Sequence, residues 1–369
     1  MVKIGLVGTS WWAESMYLPA LADHPLGRIT TICGRNRERA DEVARDWGID
    51  EVVTDADELI DRVDAVIVAS SNASHHPITM AAIERGRHVL CEKPLGLDAT
   101  EADELAAAVD RAGLVSMTPF TYRFMPMARQ LRHHLDEGFI GRPYHLDARY
   151  YTGYARDGDY QWRFDRAEAG SGVLGDIGSH WIDLALYLLG PIEAIGAVLA
   201  TTVERDAKPD GSTYDVGDDT ALLTVRFASG ATGHLTVTAV CWTGTPFGQT
   251  HHVEIHGSGG TLQADCDWDT IQAVRGVRAG EPGPAQPLGR PDAIWAGLRT
   301  GSVHDTYRDV FRTTEAMTRG WATAVAEGRP VDPDLAHGAL VQRIVDTALA
   351  SAADGGRMLP VAAARSKGV

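Results

Sequence analysis

VKIGLVGTSWWA, residues 2–13, runs from a short apolar segment through a glycine into the start of a helix. The apolar run over residues 2–8 is typical of a buried strand. Gly8, Ser10 and Ala13 then follow the spacing of the dinucleotide-binding pattern G-x-G-x-x-G/A. In that pattern the first glycine permits a tight turn, and the last small residue lets the helix pack closely on the strand. A helix start placed this way binds a pyrophosphate through free backbone N–H groups and the positive end of the helix dipole.

The middle of this pattern departs from the usual residue, because Ser10 stands where a second glycine is expected. The Ser10 hydroxyl is expected to donate to a phosphate oxygen instead of letting the backbone approach it. Taken alone, G-x-S-x-x-A also fits an ordinary strand–helix turn. The residues we expect to contact a dinucleotide here are Gly8, Thr9, Ser10, Trp11, Trp12 and Ala13.

Strands and helices alternate up to about residue 121. The pattern predicts further strands over 28–33, 64–70, 87–92 and 114–118, and helices starting near Trp12 and over 36–47, 76–86 and 98–112. Strands that alternate with helices of this length form a parallel, doubly wound sheet. We therefore predict a Rossmann domain over residues 1–121.

The pattern changes after residue 121. It predicts helices over 126–137 and 178–189, strands over 142–151, 221–227, 233–241 and 251–257, a Gly/Pro-rich loop over 276–292, and helical stretches near 305–327 and 334–353. The later strands alternate apolar and polar residues, as half-exposed antiparallel strands do. Residues 122–369 are therefore predicted to form an α/β domain with an open, mainly antiparallel sheet. Such a sheet has a face that helices or another subunit usually cover.

The end of the second strand bears on the choice of cofactor. An NAD site usually places an acidic residue there to bind the ribose 2′-hydroxyl, whereas this chain has Cys33-Gly34-Arg35-Asn36-Arg37. A guanidinium suits the 2′-phosphate of NADP, so Arg35 and Asn36 are predicted to bind it and NADP(H) is favoured over NAD(H). Asn36 is also the expected N-cap of the following helix.

Two further stretches carry groups suited to proton transfer. Lys93 follows the strand at 87–92, and ligands of open α/β sheets bind at the carboxyl ends of the strands. Asp176 and His180 are four residues apart and share one face if that segment is helical. The alternatives are a surface lysine, Asp176 as an N-cap with His180 as a packing residue, or a metal pair, which lacks a third ligand nearby. We predict no metal site.

At this point the motifs together resemble a known family, the glucose–fructose oxidoreductase, inositol dehydrogenase and rhizopine catabolism (Gfo/Idh/MocA) proteins. In chain order they are Gly8 to Ala13, Ser71-Asn72-Ala73-Ser74-His75-His76-Pro77, Glu92-Lys93-Pro94, Tyr122-Arg123-Phe124-Met125-Pro126, Glu137-Gly138-Phe139-Ile140-Gly141, Trp162-Arg163, Gly172 to His180, and Gly257 to Thr261. The match extends along nearly the whole chain. Gly34 departs from it, because NADP-using members often have serine there.

The resemblance implies functional roles for these positions. Lys93, Asp176 and His180 match the family's catalytic constellation; Ser70, Asn72, His75, Glu92, Lys93, Trp162 and Arg163 are predicted to lie near the cofactor; and Lys93, Tyr122, Arg123, Tyr154, Asp176 and His180 are predicted to bind substrate. In oxidation, His180 would take the hydroxyl proton while Lys93 stabilises the developing alkoxide. The open sheet would form the interface of a homodimer or homotetramer.

Composition narrows the class of protein further. The net charge of −16 disfavours nucleic-acid binding and a basic membrane-binding patch. The four cysteines lack metal-ligand spacing, so we expect free thiols and a cytoplasmic protein without a signal peptide or membrane span. We therefore expect an NAD(P)-dependent sugar or cyclitol oxidoreductase. The alternatives are a redox-neutral enzyme that recycles a bound nicotinamide, and a non-catalytic cofactor-binding sensor.

Overall fold

The computed structural model describes residues 1–362, which divide into two compact units. Unit 1 comprises Met1–Phe120 and Arg308–Gln342, and unit 2 comprises Thr121–Tyr307 with the chain from Arg343 onward. The sequence analysis had assigned all residues after 121 to the second domain. Residues 308–342 fall instead in unit 1, because apolar side chains such as Leu335 and Ala339 are buried in its core. That long-range packing leaves no local signal in the sequence.

Unit 1 is built on a parallel six-stranded sheet, which confirms the predicted Rossmann architecture. In chain order its first part contains β1 Val2–Val7, α1 Leu18–Leu21, β2 Gly27–Cys33, α2 Arg37–Trp47, β3 Glu51–Val53, α3 Ala56–Ile60, β4 Ala65–Val68, α4 Asn72–Glu84, β5 His88–Cys91, α5 Ala99–Ala112 and β6 Ser116–Met117. The strand order is β3-β2-β1-β4-β5-β6. The order therefore reverses between β1 and β4, and ligands of such sheets bind outside the strand ends at this crevice.

Proline shapes the helix that follows β1. The helix begins at Trp11 and widens into a π-helical turn over Ala13–Tyr17, where the Leu18 N–H donates to the Ala13 carbonyl oxygen. Pro19 has no N–H and its ring excludes the carbonyl four residues before it, which belongs to Ser15. Arg312 donates to that freed carbonyl oxygen at 3.2 Å. The widened turn therefore lies just before Pro19 in the chain.

Unit 2 is built on a nine-stranded sheet that is antiparallel except where β7 pairs with β10. Its elements are α6 Pro126–Asp136, β7 Pro143–Thr152, α7 Arg166–Ala169, α8 Ser179–Leu189, β8 Ile192–Ala200, β9 Thr220–Phe227, β10 Thr232–Thr238, β11 Gln249–Gly257, β12 Gly260–Cys266, β13 Gln272–Arg278, β14 Gln286–Pro287, α9 Asp292–Trp295 and β15 Leu359–Pro360. The strand order is β14-β13-β12-β11-β7-β10-β9-β8-β15. This confirms the open, mainly antiparallel sheet expected from the alternating strands.

Several local predictions were incomplete. The sequence analysis missed the strands β3, β8, β12, β13, β14 and β15. The loop predicted over 276–292 contains the end of β13 and all of β14. The sequence analysis also predicted one helical stretch near 305–327. The structure has two helices there, α10 Val303–Thr313 and α11 Thr318–Glu327, separated where Met317 adopts a φ of +47°. The last helix, α12, covers Leu335–Ala353. Across residues 1–362, every helix is too short or too polar to cross a bilayer.

Candidate active site

Gly8 ends β1 in a conformation and a space that suit only glycine. Its φ is +125°, and a Cβ built at this position would lie 2.4 Å from the Ala69 carbonyl oxygen beyond β4. The Gly8 N–H donates to the Cys33 carbonyl oxygen at 2.9 Å, which ties the ends of β1 and β2 together. The turn that precedes the helix is therefore fixed by its two neighbouring strands.

Replacing Gly8 with alanine is expected to lower the free energy of unfolding by about 3 kcal/mol or more, because backbone strain and overlap with Ala69 add. Gly86→Ala is the matched control, since Gly86 has a φ of +71° and nothing within 4 Å of an added methyl group. This control should lose only about 1–2 kcal/mol. Urea unfolding of both variants gives the comparison, and equal losses would contradict the role given to Ala69.

The helix start that follows Gly8 presents the predicted binding groups. Ser10 Oγ accepts a hydrogen bond from the Ala13 N–H at 3.4 Å, so its own proton stays available for a ligand oxygen. Ala13 is fully buried against the sheet, as its small side chain predicted. Trp11 lies at the surface with 71% of its area exposed. These features fit a pyrophosphate at the helix start.

Glu92 connects this helix to Lys93. The Trp12 Nε1–H donates to Glu92 Oε1 at 2.5 Å, and the Tyr17 hydroxyl donates to the same oxygen. Glu92 Oε2 accepts from the Lys93 N–H at 3.0 Å. Burial and the nearby Glu92 charge raise the pKa of Tyr17, which keeps its hydroxyl protonated as a donor. Tyr17 was missed in the sequence, because no motif marks it and only the packing of the helix turns it toward Glu92.

At the carboxyl end of β4, the His75 ring contacts the backbone of Ser70 and Pro94. His75 is buried, with Nδ1 2.8 Å from the Pro94 carbonyl oxygen and Nε2 3.3 Å from the Ser70 carbonyl oxygen. Burial lowers the pKa of His75 to about 4, so the ring is neutral near pH 7. Both ring nitrogens of His75 face backbone oxygens, and its predicted place near the cofactor stays a prediction. Asn72, which starts α4, is also buried, and its contact with the cofactor stays a prediction.

At the end of β2, Arg35 and the nearby Arg37 differ in their contacts. Arg37 pairs with Asp41, whereas Arg35 is exposed and has no ion pair within residues 1–362. Asn36 caps α2 by accepting from the Arg39 N–H at 3.0 Å, as predicted. A charged group left unpaired at this strand end is suited to an anionic ligand.

Gly34 is required here by Thr9. A Cβ built at position 34 would lie 2.7 Å from the Thr9 Cγ2 and 3.2 Å from the Ala40 Cβ. A serine at position 34 would therefore overlap the Thr9 side chain as it is placed here. The lack of a side chain at Gly34 leaves room for Thr9, and the preference for NADP(H) stays a prediction.

In unit 2, Asp176 lies within a cluster of polar and aromatic side chains. Its Oδ2 accepts from the Tyr154 hydroxyl at 2.6 Å and lies 3.6 Å from Arg163 Nε. The Arg163 guanidinium stacks on Trp162, with 4.7 Å between Cζ and the ring centroid. The structure thus brings four predicted site residues together, and the predicted proximity of Trp162 and Arg163 to the cofactor stays a prediction.

The Asp176–His180 segment is helical, as the spacing required. A π-helical turn over Leu174–Gly178 leads directly into α8, whose N-cap is Gly178. The alternative that Asp176 caps this helix is therefore wrong. His180 lies in the first turn of α8, buried, with its ring centroid 4.8 Å from that of Tyr122. The expected packing is present, and proton transfer by His180 stays a prediction.

Two residues that were predicted to bind substrate, Tyr122 and Arg123, form hydrogen bonds within unit 2. The Tyr122 hydroxyl lies 2.8 Å from the Tyr150 hydroxyl and accepts from Gln249 Nε2 at 3.3 Å. Arg123 forms a buried pair with Asp183 through Nε–H to Oδ2 at 3.1 Å and Nη2–H to Oδ1 at 2.5 Å. These contacts hold both side chains inside unit 2, and their binding of substrate stays a prediction. Tyr122 also supports the ring of His180.

A buried polar chain continues from Tyr122. His251 Nε2 lies 2.9 Å from Gln249 Nε2 and accepts from the Trp268 Nε1–H at 3.2 Å. Burial lowers the pKa of His251 to about 3, which leaves Nε2 unprotonated as an acceptor. Sequence patterning missed this chain, since His251 lies on an alternating strand with no motif around it.

A metal site at Asp176 and His180 would need a third ligand. Within residues 1–362, no group of three possible metal ligands includes these two residues. The group of three side chains that is spaced for a metal in the described residues lies at the end of α6 and consists of His133, His134 and Glu137. Both histidines already lie 3.3 Å from the Glu137 carboxylate, as neighbours on one helix do. The proton-transfer role remains the better interpretation of Asp176 and His180.

Comparison with known proteins gives matches over both units. Residues 2–120 match the model of an oxidoreductase family with an NAD-binding Rossmann fold, and residues 128–263 match the Gfo/Idh/MocA C-terminal domain. Levoglucosan dehydrogenase from Pseudarthrobacter phenanthrenivorans is 31% identical over 95% of this chain and 96% of its own length. The 1,5-anhydro-D-fructose reductase of Ensifer adhaerens is 34% identical over 71% of this chain and 75% of its own. A structure of levoglucosan dehydrogenase with NADH and levoglucosan has a TM-score of 0.85 and 28% identity, covering 98% of this chain and 100% of that one.

Proposed function

The chain belongs to the Gfo/Idh/MocA family of oxidoreductases, and on this premise we propose that it transfers a hydride between NADP(H) and a hydroxyl or keto carbon of a sugar, sugar derivative or cyclitol. The observation that carries the proposal is the likeness to levoglucosan dehydrogenase over nearly the full length of both chains. The presence of Lys93, Asp176 and His180 supports catalysis over a sensor role, because a sensor needs no proton-transfer groups.

The preference for NADP(H) rests on the end of β2. No acidic residue follows Cys33 to bind a ribose 2′-hydroxyl, and Arg35 is an exposed cation without an ion pair in the described residues. The structure of levoglucosan dehydrogenase in complex with NADH weighs toward NAD(H). The local charge favours a 2′-phosphate, because a guanidinium donates paired, charge-assisted hydrogen bonds to phosphate oxygens.

Arg35→Ser is expected to weaken NADPH binding by about 10- to 100-fold, the loss of hydrogen bonds between charged groups, and to leave NADH binding unchanged. Arg37→Ser is the matched control, because Arg37 already pairs with Asp41 on the same helix start. Quenching of tryptophan fluorescence on titration with each nucleotide measures both constants. Equal weakening of NADPH and NADH, or none, would remove Arg35 from the 2′-phosphate site.

The chemistry assigns separate tasks to the two units. A bound nicotinamide supplies the hydride donor or acceptor. In unit 1, Lys93 holds a substrate oxygen and stabilises the negative charge that develops on it during oxidation. In unit 2, His180 takes the hydroxyl proton, and Asp176 binds a neighbouring hydroxyl together with Tyr154. Reduction runs the same steps in reverse.

Absorbance at 340 nm tests the proposal with purified protein. The panel contains levoglucosan, anhydro-fructose, inositols and common aldoses, each with NADP⁺ or NAD⁺, and the corresponding keto-sugars with NADPH or NADH. We expect turnover of at least one anhydro-sugar, sugar or cyclitol. Consumption of substrate without added nicotinamide and without a change at 340 nm would favour the redox-neutral alternative instead.

We further propose a cytoplasmic homo-oligomer. All four cysteines are free thiols, which agrees with a reducing compartment. The unit 2 sheet exposes Val198 on β8 opposite Leu222 on β9. Beyond β10 and β7 in the same sheet, His252 on β11 pairs with Asp265 on β12. A second copy covering this face would bury the apolar pair. Light scattering is expected to give a dimer or tetramer, and Leu222→Glu should shift it toward monomer; a monomeric wild type would contradict the proposal.

A further inference from the structure

The helical segment that carries Asp176 and His180 begins with backbone N–H groups that need partners. The first turn of any helix leaves its N–H groups without acceptors in the helix itself. The segment starts around Gly172, whose carbonyl oxygen accepts from the Asp176 N–H at 3.1 Å. How the N–H groups of residues 172–174 are held therefore decides where Asp176 and His180 lie.

One residue far along the chain accepts from all three groups. Asp218 Oδ1 accepts from the Gly172 N–H at 3.0 Å, and Asp218 Oδ2 accepts from the Leu174 N–H at 2.8 Å. The Asp218 carbonyl oxygen accepts from the Val173 N–H at 2.7 Å. A negative carboxylate at this position also faces the positive end of the helix dipole. Asp218 thus caps the helix from outside it.

The fit between the two segments is tight. Asp218 is 1% exposed, and a Cβ built on Gly172 would lie 1.9 Å from the Asp218 carbonyl oxygen. A Cβ on Gly217 would lie 2.7 Å from the Gly172 nitrogen. The two glycines let the backbones approach, and Gly217 is itself held by donating to the Phe164 carbonyl oxygen at 2.7 Å. Asp218 lies two residues before the start of β9, so the cap is close to the sheet.

We propose that Asp218 is a positioning residue, which fixes the start of the helical segment and thereby sets the places of Asp176 and His180. It touches neither substrate nor cofactor in this role. The inference rests on the proposed function for its effect on turnover, whereas the effect on His180 can be measured without it. No motif in the sequence marked Asp218, although two adjacent acids at the entry of a strand are unusual, because strands are depleted of aspartate.

Asp219 gives a matched control for the experiment. It is also fully buried, and its Oδ2 accepts from the N–H groups of Thr202 and Val203 at 2.8 and 2.9 Å. Asp219 therefore resembles Asp218 in burial and in binding backbone N–H groups, but it holds the segment after β8. Loss of stability from removing a buried carboxylate should appear in both variants. A loss of catalytic activity should appear only in the Asp218 variant.

Asp218→Asn is expected to lower kcat by about 10- to 100-fold, the range expected for a displacement of about 1 Å of reacting groups. Its Kd for the nicotinamide should match the wild type, and Asp219→Asn should retain wild-type kcat. Equal losses in both variants, or an unchanged kcat in Asp218→Asn, would overturn the proposal. If Asp218→Asn does not fold, amide exchange in the wild type decides: protected N–H groups at 172–174 support the cap, and exchange as fast as in exposed loops rejects it.

A readout that does not depend on turnover separates this inference from the proposed function. The imidazole NMR signals of His180 should shift in Asp218→Asn and remain in place in Asp219→Asn. This result would support the positioning role even if no sugar is turned over. Unchanged His180 signals in Asp218→Asn would overturn it even if the enzyme proves to be a sugar dehydrogenase.

Discussion

Lys93→Met is expected to lower kcat for sugar oxidation about a thousandfold, within the range that charge stabilisation and general acid–base groups contribute. Methionine keeps the length of the side chain and removes its charge. The backbone at this position should stay in place, because the Lys93 N–H is held by Glu92 Oε2 at 3.0 Å. The nicotinamide Kd is therefore expected to change by less than about threefold. Steady-state kinetics and fluorescence titration give the two values.

Lys3→Met serves as the control for Lys93→Met. Lys3 lies exposed on β1 of the same unit, where its backbone N–H donates to Asp64 Oδ2 and its carbonyl oxygen accepts from the Asp64 N–H, both at 2.9 Å. This variant should have wild-type kinetics. If Lys93→Met also retained wild-type kcat, Lys93 would be a surface lysine at a strand end, which is the alternative that the sequence left open.

His180→Gln is expected to lower kcat by about 100- to 1000-fold and to remove the acidic limb from the pH profile of sugar oxidation. Imidazole titrates near neutral pH, and a protonated ring cannot accept the hydroxyl proton, so oxidation by the wild type should fall as the pH decreases. Glutamine fills similar space and does not titrate. The profile of kcat/KM between pH 5 and pH 9 tests this expectation.

His76→Gln is the control for the histidine variant. His76 lies partly exposed on α4, with Nε2 2.9 Å from the Glu104 carboxylate, and has no proposed part in the reaction. Its pH profile should match the wild type. A profile for His180→Gln that keeps the acidic limb would assign the proton transfer to another group, and His180 would then act only by packing on Tyr122.

The parts of the fold that the sequence predicts well are those with local causes. Gly8 and Ala13 mark a strand–helix turn because only small residues fit there, and Asn36 marks the start of α2 because an N-cap has fixed chemistry. The strand β8 was missed because its residues are apolar at nearly every position and lack an alternating pattern. The return of residues 308–342 to unit 1 depends on packing between segments far apart in the chain.

In the candidate site, too, the sequence predicts some features and not others. Family motifs indicate which residue types gather, and Asp176, Tyr154 and Arg163 do lie together. Motifs do not show which polar atoms of Tyr122 and Arg123 bond within unit 2, and the contact of these residues with substrate stays a prediction. Those atoms have partners on β7, β11 and α8, which the local sequence does not reveal.

Hydride transfer itself can be followed with NADPH carrying deuterium at C4 of the nicotinamide and a keto-sugar that the protein reduces. Both C4 epimers of the labelled cofactor are used, and the product is analysed by mass spectrometry and NMR. We expect one epimer to deliver one deuterium to the former carbonyl carbon, with one NADPH oxidised for each product formed. Product that contains no deuterium from either epimer, or substrate conversion without net oxidation of NADPH, would contradict the proposed oxidoreductase reaction.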